Sequence, residues 1–154
     1  MTIAPILQSV SVKLPPDRAF AVFTTRIGEW WAKGRTIGAN PHEAIVIEPH
    51  PGGRWYERDA EGVECDWGKV LAWEPPHRVL LAWHLNANFK YGLGCVTEVE
   101  VTFEPEGSGT RVTLEHRDLE RFGPSAEKVA AQLGGGWPKH LQEFADFANE
   151  GEDA

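Results

Sequence analysis

Six histidines are the side chains of this 154-residue chain best suited to acid–base chemistry near neutral pH. No two of them have the i, i+4 spacing of a helical zinc site and no HExxH motif occurs, so we expect no metal and no cofactor. Strand alternation with Val112 and Leu114 points His116 inward, and His140 follows Trp137 by one helical turn. Either could orient a ligand or act as a general base, although a hydrogen-bonded structural histidine is the interpretation we favour.

Segment 54–59 combines charged and aromatic residues, and it is the second place where chemistry could occur. Glu57 shares the phase of Trp55, whereas Arg54 shares the phase of Tyr56, so one of the two charged groups faces inward. A buried ion would be paired or would face a ligand. The sequence leaves the inward face open, and a solvated hairpin with exposed ion pairs is the simpler interpretation.

Other catalytic signals are weak. The HRDL stretch at 116–119 imitates a protein-kinase loop, but Gly123 stands where that loop has Asn, and no DFG, P-loop or GxSxG motif occurs. Cys65 and Cys95 fit no zinc or CxxC pattern, and we expect two reduced thiols. These observations leave open whether the chain is an enzyme.

Seven tryptophans and seven phenylalanines are a large aromatic load for this length, and such residues build cores and line apolar cavities. Trp31, Trp83 and Trp137 lie on elements that would close a cavity between a sheet and a helix. Trp67 joins them if a β-bulge at Gly68 turns its side chain inward.

Phe89 and Tyr91 lie in the glycine-containing loop 86–94, where they could form a cavity mouth, a partner contact or a plug. The sequence favours none of these three. Apolar residues of the predicted last hairpin and C-terminal helix complete our set of cavity candidates: Val101, Phe103, Leu114, Leu141 and Phe144.

The elements that must position these residues alternate between helical and strand patterns. A strand is predicted over 6–14, followed by a helical segment over 16–34 that breaks at Gly28–Glu29 and ends at Gly34. Tight turns then join short strands, as is typical of an antiparallel meander. These strands are predicted over 44–49, 52–59, 63–74, 78–85, 95–105 and 111–117.

The fold class predicted from this order is α+β. A seven-stranded curved antiparallel sheet wraps around a long C-terminal helix, and two short helices follow the first strand. Within the C-terminal helix, the sequence GGGWPKHLQEF places three glycines and a proline where helix propensity is poor. We therefore predict a kink or short break at 134–137, with Trp137 turned inward.

The net charge of the chain and the length of its apolar runs limit the classes of partner that it could bind. The net charge of −8 argues against nucleic acid, and the chain has neither a signal-peptide pattern nor an apolar run long enough to enter a membrane. We expect one cytoplasmic domain over 1–150 with a frayed tail over 151–154. A homodimer stays open.

The ordered stretches PPDRAFAVFT, PGGRWYERDAEG, WGKVLAWEPPHRVLLAW and EVEVTFEPEGSGTRVTLEH, followed by GGGW, resemble the START and polyketide-cyclase superfamily. Within it they are similar to homologues of the activator of the heat-shock-protein-90 ATPase. The resemblance implies the helix-grip fold of the birch-pollen allergen and an elongated hydrophobic cavity. It maps no catalytic residue, and a single-domain chain is not expected to activate an ATPase.

Three functions follow as hypotheses. The first is binding of a lipophilic small molecule, such as a lipid, polyketide or aromatic compound, between the sheet and the C-terminal helix. The second is a cyclase or dehydratase that uses an inward His, Glu or Arg. The third is a protein-interaction module, for which a chaperone contact is disfavoured but stays open.

Overall fold

One antiparallel sheet and three α-helices make up the computed structural model, which describes residues 3–32, 35–92 and 94–153. All the predicted strands are present, and the α+β prediction is confirmed. The strands are β1 (Ile6–Val12), β2 (His42–Ile47), β3 (Arg54–Asp59), β4 (Glu64–Glu74), β5 (Arg78–Trp83), β6 (Thr97–Glu106) and β7 (Gly109–Arg117). The helices are α1 (Pro16–Thr24), α2 (Ile27–Trp30) and α3 (Ala126–Asp153), and a 3₁₀ segment (Leu119–Ser125) precedes α3.

The sheet has the order β1-β7-β6-β5-β4-β3-β2, so strands β2 to β7 form a meander and β1 pairs with its last strand. The register of this closing pair runs without interruption from Ile6 opposite His116 to Val12 opposite Thr110. The sheet curls into a half-barrel around α3, which is the helix-grip arrangement.

The concave face of the sheet packs against the helices through alternate residues, as the sequence predicts for the last hairpin. Phe144 of α3 lies 5.2 Å from Phe23 of α1 between ring centroids, and Phe20 lies 5.1 Å from Phe103 of β6. These rings fill one half of the space between sheet and helix. The buried sheet residues of this half include Val99, Val101, Phe103, Val112 and Leu114.

The N-terminal helical segment breaks earlier than predicted. Helix α1 ends at Thr24 and α2 begins at Ile27, so the break lies before Gly28–Glu29, which are both inside α2. Close packing explains why position 28 is a glycine, because a Cβ there would lie 2.7 Å from the backbone nitrogen of Ile45 in β2. Gly34, the predicted helix end, lies outside the described residues.

A β-bulge in β4 sets the direction of Trp67. Trp55 pairs with Gly68 and Tyr56 pairs with Asp66, so Trp67 is the extra residue of the bulge. The phase change buries Trp67, whereas Val63 at the start of the same segment is exposed. The bulge considered from the sequence is therefore present, and it turns Trp67 towards α3.

Of the kink or short break predicted at 134–137, the break is wrong. Helix α3 runs from Ala126 to Asp153 with Pro138 inside it. Burial of Trp137, Leu141 and Phe144 along one stripe stabilises the helix more than its glycines and proline destabilise it. The inward position of Trp137, which is 3% exposed, agrees with the prediction.

The backbone of α3 continues to Asp153, three residues into the segment predicted as a frayed tail, and Ala154 lies outside the described residues. None of the helices in the described ranges is long and apolar enough to cross a bilayer.

Continuity of α3 predicts that Gly135→Ala raises the free energy of unfolding by about 0.5 to 1 kcal/mol, because alanine favours a helix interior. Gly135 is exposed and a Cβ there meets nothing within 4 Å. Urea denaturation would measure the change.

Gly68→Ala is the contrasting variant, because its Cβ would lie 1.7 Å from the carbonyl oxygen of Ala82 on β5. We expect it to lower the same free energy by at least about 2 kcal/mol. A destabilised Gly135→Ala would contradict a regular helix at this point.

Candidate functional site

A cavity of about 500 Å³ lies between the sheet and the N-terminal half of α3, beside the aromatic core. Its volume lies within the usual range for small-molecule sites. The apolar walls come from the chain after α2, from β4, from the end of β5 and the residues after it, and from α3. They are Trp31, Ile37, Trp67, Trp83, Leu85, Leu133 and Trp137.

Indole rings surround this space, and each of them contacts the next. Trp31 lies 5.2 Å from Trp67 and 6.0 Å from Trp137 between ring centroids, and Trp83 lies 5.9 Å from Trp137. Trp55 lies behind the wall and connects Trp67 with Trp83, at centroid distances of 5.4 Å and 5.8 Å. Contacts of this kind favour defined orientations of large rings, so each indole of the wall is positioned by its neighbours.

Hydrogen bonds fix three of the wall indoles. Trp31 Nε1 donates to the carbonyl oxygen of Arg35 at 2.8 Å. Trp67 Nε1 donates to Glu57 Oε1 at 2.7 Å, and Trp137 Nε1 donates to His116 Nδ1 at 3.1 Å. Each indole therefore presents carbon, rather than its N–H, to the cavity.

Glu57 is the inward charged residue of β3 and is 2% exposed. Besides Trp67, its carboxylate accepts hydrogen bonds from the backbone nitrogens of Ile37 at 2.7 Å and Gly38 at 3.2 Å. These three donors satisfy a group that would be costly to bury alone. The carboxylate thus ties the segment after α2 to the wall of the cavity.

Arg54, on the opposite face of β3, forms exposed ion pairs. Its guanidinium lies 2.7 Å from Asp66 and 3.1 Å from Glu64. The inward face of β3, which the sequence left open, is therefore the face of Trp55 and Glu57, and ion pairs occupy the outer face.

Two segments form the mouth of the cavity: the chain after α2 and the loop after β5. In the loop, Asn86 Oδ1 accepts hydrogen bonds from the backbone nitrogens of Asn88 at 2.8 Å and Lys90 at 3.2 Å. The carbonyl oxygen of Lys90 accepts from the Asn86 nitrogen at 3.0 Å, so the loop is a compact turn. The side chains that these segments place at the mouth are Arg35, Thr36, Asn88, Phe89 and Lys90, and Gln132 of α3 lies beside them.

His116 is inward and fully buried, but it lies behind Trp137 rather than on the cavity surface. Because its Nδ1 accepts from Trp137, its Nε2–H donates to Thr97 Oγ1, 2.8 Å away. Burial lowers the pKa of His116 to about 3. The ring is therefore neutral at pH 7, with both nitrogens paired, as expected of a structural histidine.

His140 differs because it lines the cavity. Its ring stacks on Trp31 with 4.0 Å between centroids, and its Nδ1 lies 3.5 Å from Glu143 Oε1. Neither of these two buried atoms has a hydrogen-bond partner among the described residues. Burial, and then the positive charge of Arg35, lower the pKa of His140 to about 4, so the imidazole is neutral at pH 7.

Gly136 and His140 lie next to each other on the cavity surface. A Cβ at position 136 would lie 3.7 Å from His140 Nε2. Nε2 therefore lies next to a helix surface without a side chain, and Nδ1 points back towards Glu143. Among the described residues, no cluster of His, Cys, Asp and Glu could hold a metal ion.

The cavity brings together six of the thirteen residues that the sequence selected: Trp31, Trp67, Trp83, Phe89, Trp137 and His140. Tyr91 instead stacks on His84 at 5.3 Å between centroids. The remaining six are core residues of the sheet and α3: Val101, Phe103, Leu114, His116, Leu141 and Phe144. Contact of any of these residues with a ligand stays a prediction.

Sequence reasoning missed two groups of lining residues. Leu133 and Gly136 precede Trp137 and His140 at helical spacing, so extending that stripe backwards would have found them. Arg35 and Lys90 belong to irregular segments whose positions depend on Glu57 and Asn86, and no local pattern marks them.

The family model described as Activator of Hsp90 ATPase homolog 1-like protein matches residues 13–149. A search of curated proteins found no significant match. The chain is 36% identical to an anthrahydroquino-γ-pyrone synthase, Txn09, with 94% of this chain and 97% of that chain covered and a TM-score of 0.67.

Two further solved structures have the same fold. A self-sacrificing resistance protein, CalC from Micromonospora echinospora, is 30% identical, with 96% and 95% of the two chains covered and a TM-score of 0.69. The Aha1 dimer from Colwellia psychrerythraea is 16% identical, with 96% and 97% covered and a TM-score of 0.64, which shows likeness of fold alone.

Glu57→Gln is predicted to lower the free energy of unfolding by about 2 to 4 kcal/mol, because one acceptor oxygen is replaced by an amide donor that faces other donors. Chemical denaturation would measure the loss. Glu64→Gln is the matched control, since its carboxylate pairs with Arg54 at the surface and should cost no more than about 0.5 kcal/mol. Equal losses in the two variants would show that Glu57 does not hold the cavity wall.

Proposed function

Because the chain belongs to the family of Activator of Hsp90 ATPase homolog 1-like proteins, within the START and polyketide-cyclase superfamily, we propose that its cavity binds a lipophilic small molecule. The observation that carries this proposal is a cavity of about 500 Å³ walled by four indoles. Apolar walls with a few polar groups favour burial of a flat hydrophobic ligand.

The aromatic and polyketide classes fit these walls best. The ring planes of neighbouring wall indoles are inclined to each other by 57° to 78°. A fused ring system that enters the space between them can therefore meet one indole with its edge and another with its face. The 36% identical neighbour is named as a synthase of a fused aromatic pyrone, which supports the same class. The cytoplasmic location and the homodimer considered from the sequence stay predictions.

An interaction module is less well supported. Phe89 and Tyr91 are 37% and 39% exposed, but Phe89 lines the cavity and Tyr91 stacks on His84. The exposed surface of Phe89 therefore belongs to the mouth of the cavity, and one further exposed ring does not make a patch that requires a protein partner.

His140 favours a second candidate function, catalysis of cyclase or dehydratase type. If the neutral imidazole carries its proton on Nδ1, which faces the Glu143 carboxylate at 3.5 Å, the Nε2 lone pair is left beside Gly136 at the cavity. Nε2 could then accept the proton of a phenolic hydroxyl or of an acidic C–H of a bound polyketide. Glu143 would stabilise the imidazolium that forms.

Occlusion of the cavity tests the binding proposal. Gly136→Leu should place a side chain inside the cavity without strain in the helix, because a Cβ there makes only ordinary contacts. We expect at least about a 10-fold loss of affinity for the best ligand from a panel of anthraquinones, flavonoids and fatty acids. Tryptophan quenching and native mass spectrometry would measure binding.

The matched control is Gly135→Leu, one residue away and exposed, which should bind like the wild type. Wild-type protein that binds nothing in the panel, or a Gly136→Leu variant with unchanged affinity, would contradict the proposal.

His140→Gln tests the catalytic candidate with an anthrahydroquinone substrate whose ring closure changes its absorbance. We expect a fall of about 100-fold in the single-turnover rate with little change in binding. Lys139→Gln, at the exposed neighbouring position, should keep the wild-type rate. Absence of turnover by the wild type would remove this candidate and leave binding intact.

A further inference from the structure

We propose that the ligand of this cavity is an anion at neutral pH, an aromatic molecule whose carboxylate or ionised phenol lies between Arg35 and Lys90. This inference rests on the proposed binding function, since it names the ligand class of the same cavity. The aromatic body would lie among the indoles, and the charged group would lie at the mouth.

Charge distribution is the first argument. The chain has 23 acidic and 15 basic residues, so its surface is predominantly negative. The described residues that line the cavity nevertheless include two cations, Arg35 and Lys90, and no carboxylate. A cationic mouth on an acidic protein attracts anions to this place and repels them elsewhere.

The absence of intramolecular partners is the second argument. Arg54, Arg78 and Arg117 each lie close to a carboxylate on the outer face of the sheet. Within the described part of the chain, neither Arg35 nor Lys90 forms such an ion pair. Their charges are therefore available to a ligand without breaking an existing contact.

Arg35 is held at the mouth by its backbone rather than by its side chain. Its carbonyl oxygen accepts from Trp31 Nε1, and the next residues are bound by Glu57 through the backbone nitrogens of Ile37 and Gly38. The guanidinium is left exposed. Its field nevertheless reaches the cavity, because it contributes to the lowered pKa of His140.

Lys90 faces the same opening from the loop after β5. The Asn86 side chain and backbone bind the Lys90 nitrogen and oxygen at 3.2 and 3.0 Å, and the Leu85–Tyr91 bridge closes the base of the loop. Two backbone anchors from different parts of the chain therefore bring two cations to one entrance. A planar carboxylate suits a guanidinium, which can donate two parallel hydrogen bonds.

Two probes with the same ring system test the inference: anthraquinone-2-carboxylate and the uncharged anthraquinone-2-carboxamide. Tryptophan quenching by each probe would be titrated with the full chain at low and at high salt. We expect the wild type to bind the carboxylate about 10-fold more tightly at low salt. The preference should shrink at high salt, because ions screen the exposed cations.

Arg35→Gln and Lys90→Gln should each reduce this preference, and the double variant should abolish it, while affinity for the carboxamide stays unchanged. Lys128→Gln, on the exposed side of α3 and outside the cavity, is the charge-matched control and should keep the wild-type preference.

Equal affinity of the wild type for the two probes would overturn the anion proposal and leave the binding function standing. The anion proposal would also be overturned if Arg35→Gln weakened both probes equally, because the residue would then act on the cavity's shape. Failure of both probes to bind would count against the binding function itself.

Discussion

The buried carboxylate of Glu57 is the constraint on which the cavity depends. A single ionised group on β3 binds a wall indole, Trp67, and the backbone of the otherwise irregular chain at 37–38. Burying this charge is tolerable only while all three donors are present, so wall and mouth must form together. The segment that carries Arg35 has no sheet or helix of its own, and the carboxylate gives it a fixed place.

One stripe of residues along helix α3 faces the aromatic core in one half of the helix and the cavity in the other. Its C-terminal half packs Phe144 against the rings of α1 and α2, whereas its N-terminal half turns Leu133, Trp137 and His140 towards the cavity. The glycines that suggested a break lie within the half of α3 that lines the cavity. Gly136 borders the cavity while the helix continues, so poor helix propensity here accompanies open space beside the helix.

Alternation and turn residues were enough to predict the sheet and the inward faces of β6 and β7, because these depend on local periodicity. Trp67 was predictable only conditionally, since its direction depends on a bulge that Gly68 permits. The helix break was wrong because propensity was weighed without the packing of Trp137 and its neighbours. The two cations of the mouth, Arg35 and Lys90, could not be found, because long-range hydrogen bonds from Glu57 and loop bonds from Asn86 place them.

The orientation of the indole N–H groups has a thermodynamic consequence. Trp31, Trp67 and Trp137 direct these donors to Arg35, Glu57 and His116, so the cavity walls offer solvent few hydrogen bonds. Water molecules that enter such a space lose partners they would have in bulk, and a ligand that expels them releases enthalpy as well as entropy. Association should then be exothermic near room temperature and carry a negative heat-capacity change, the calorimetric signature of an apolar pocket that is poorly hydrated before it is filled.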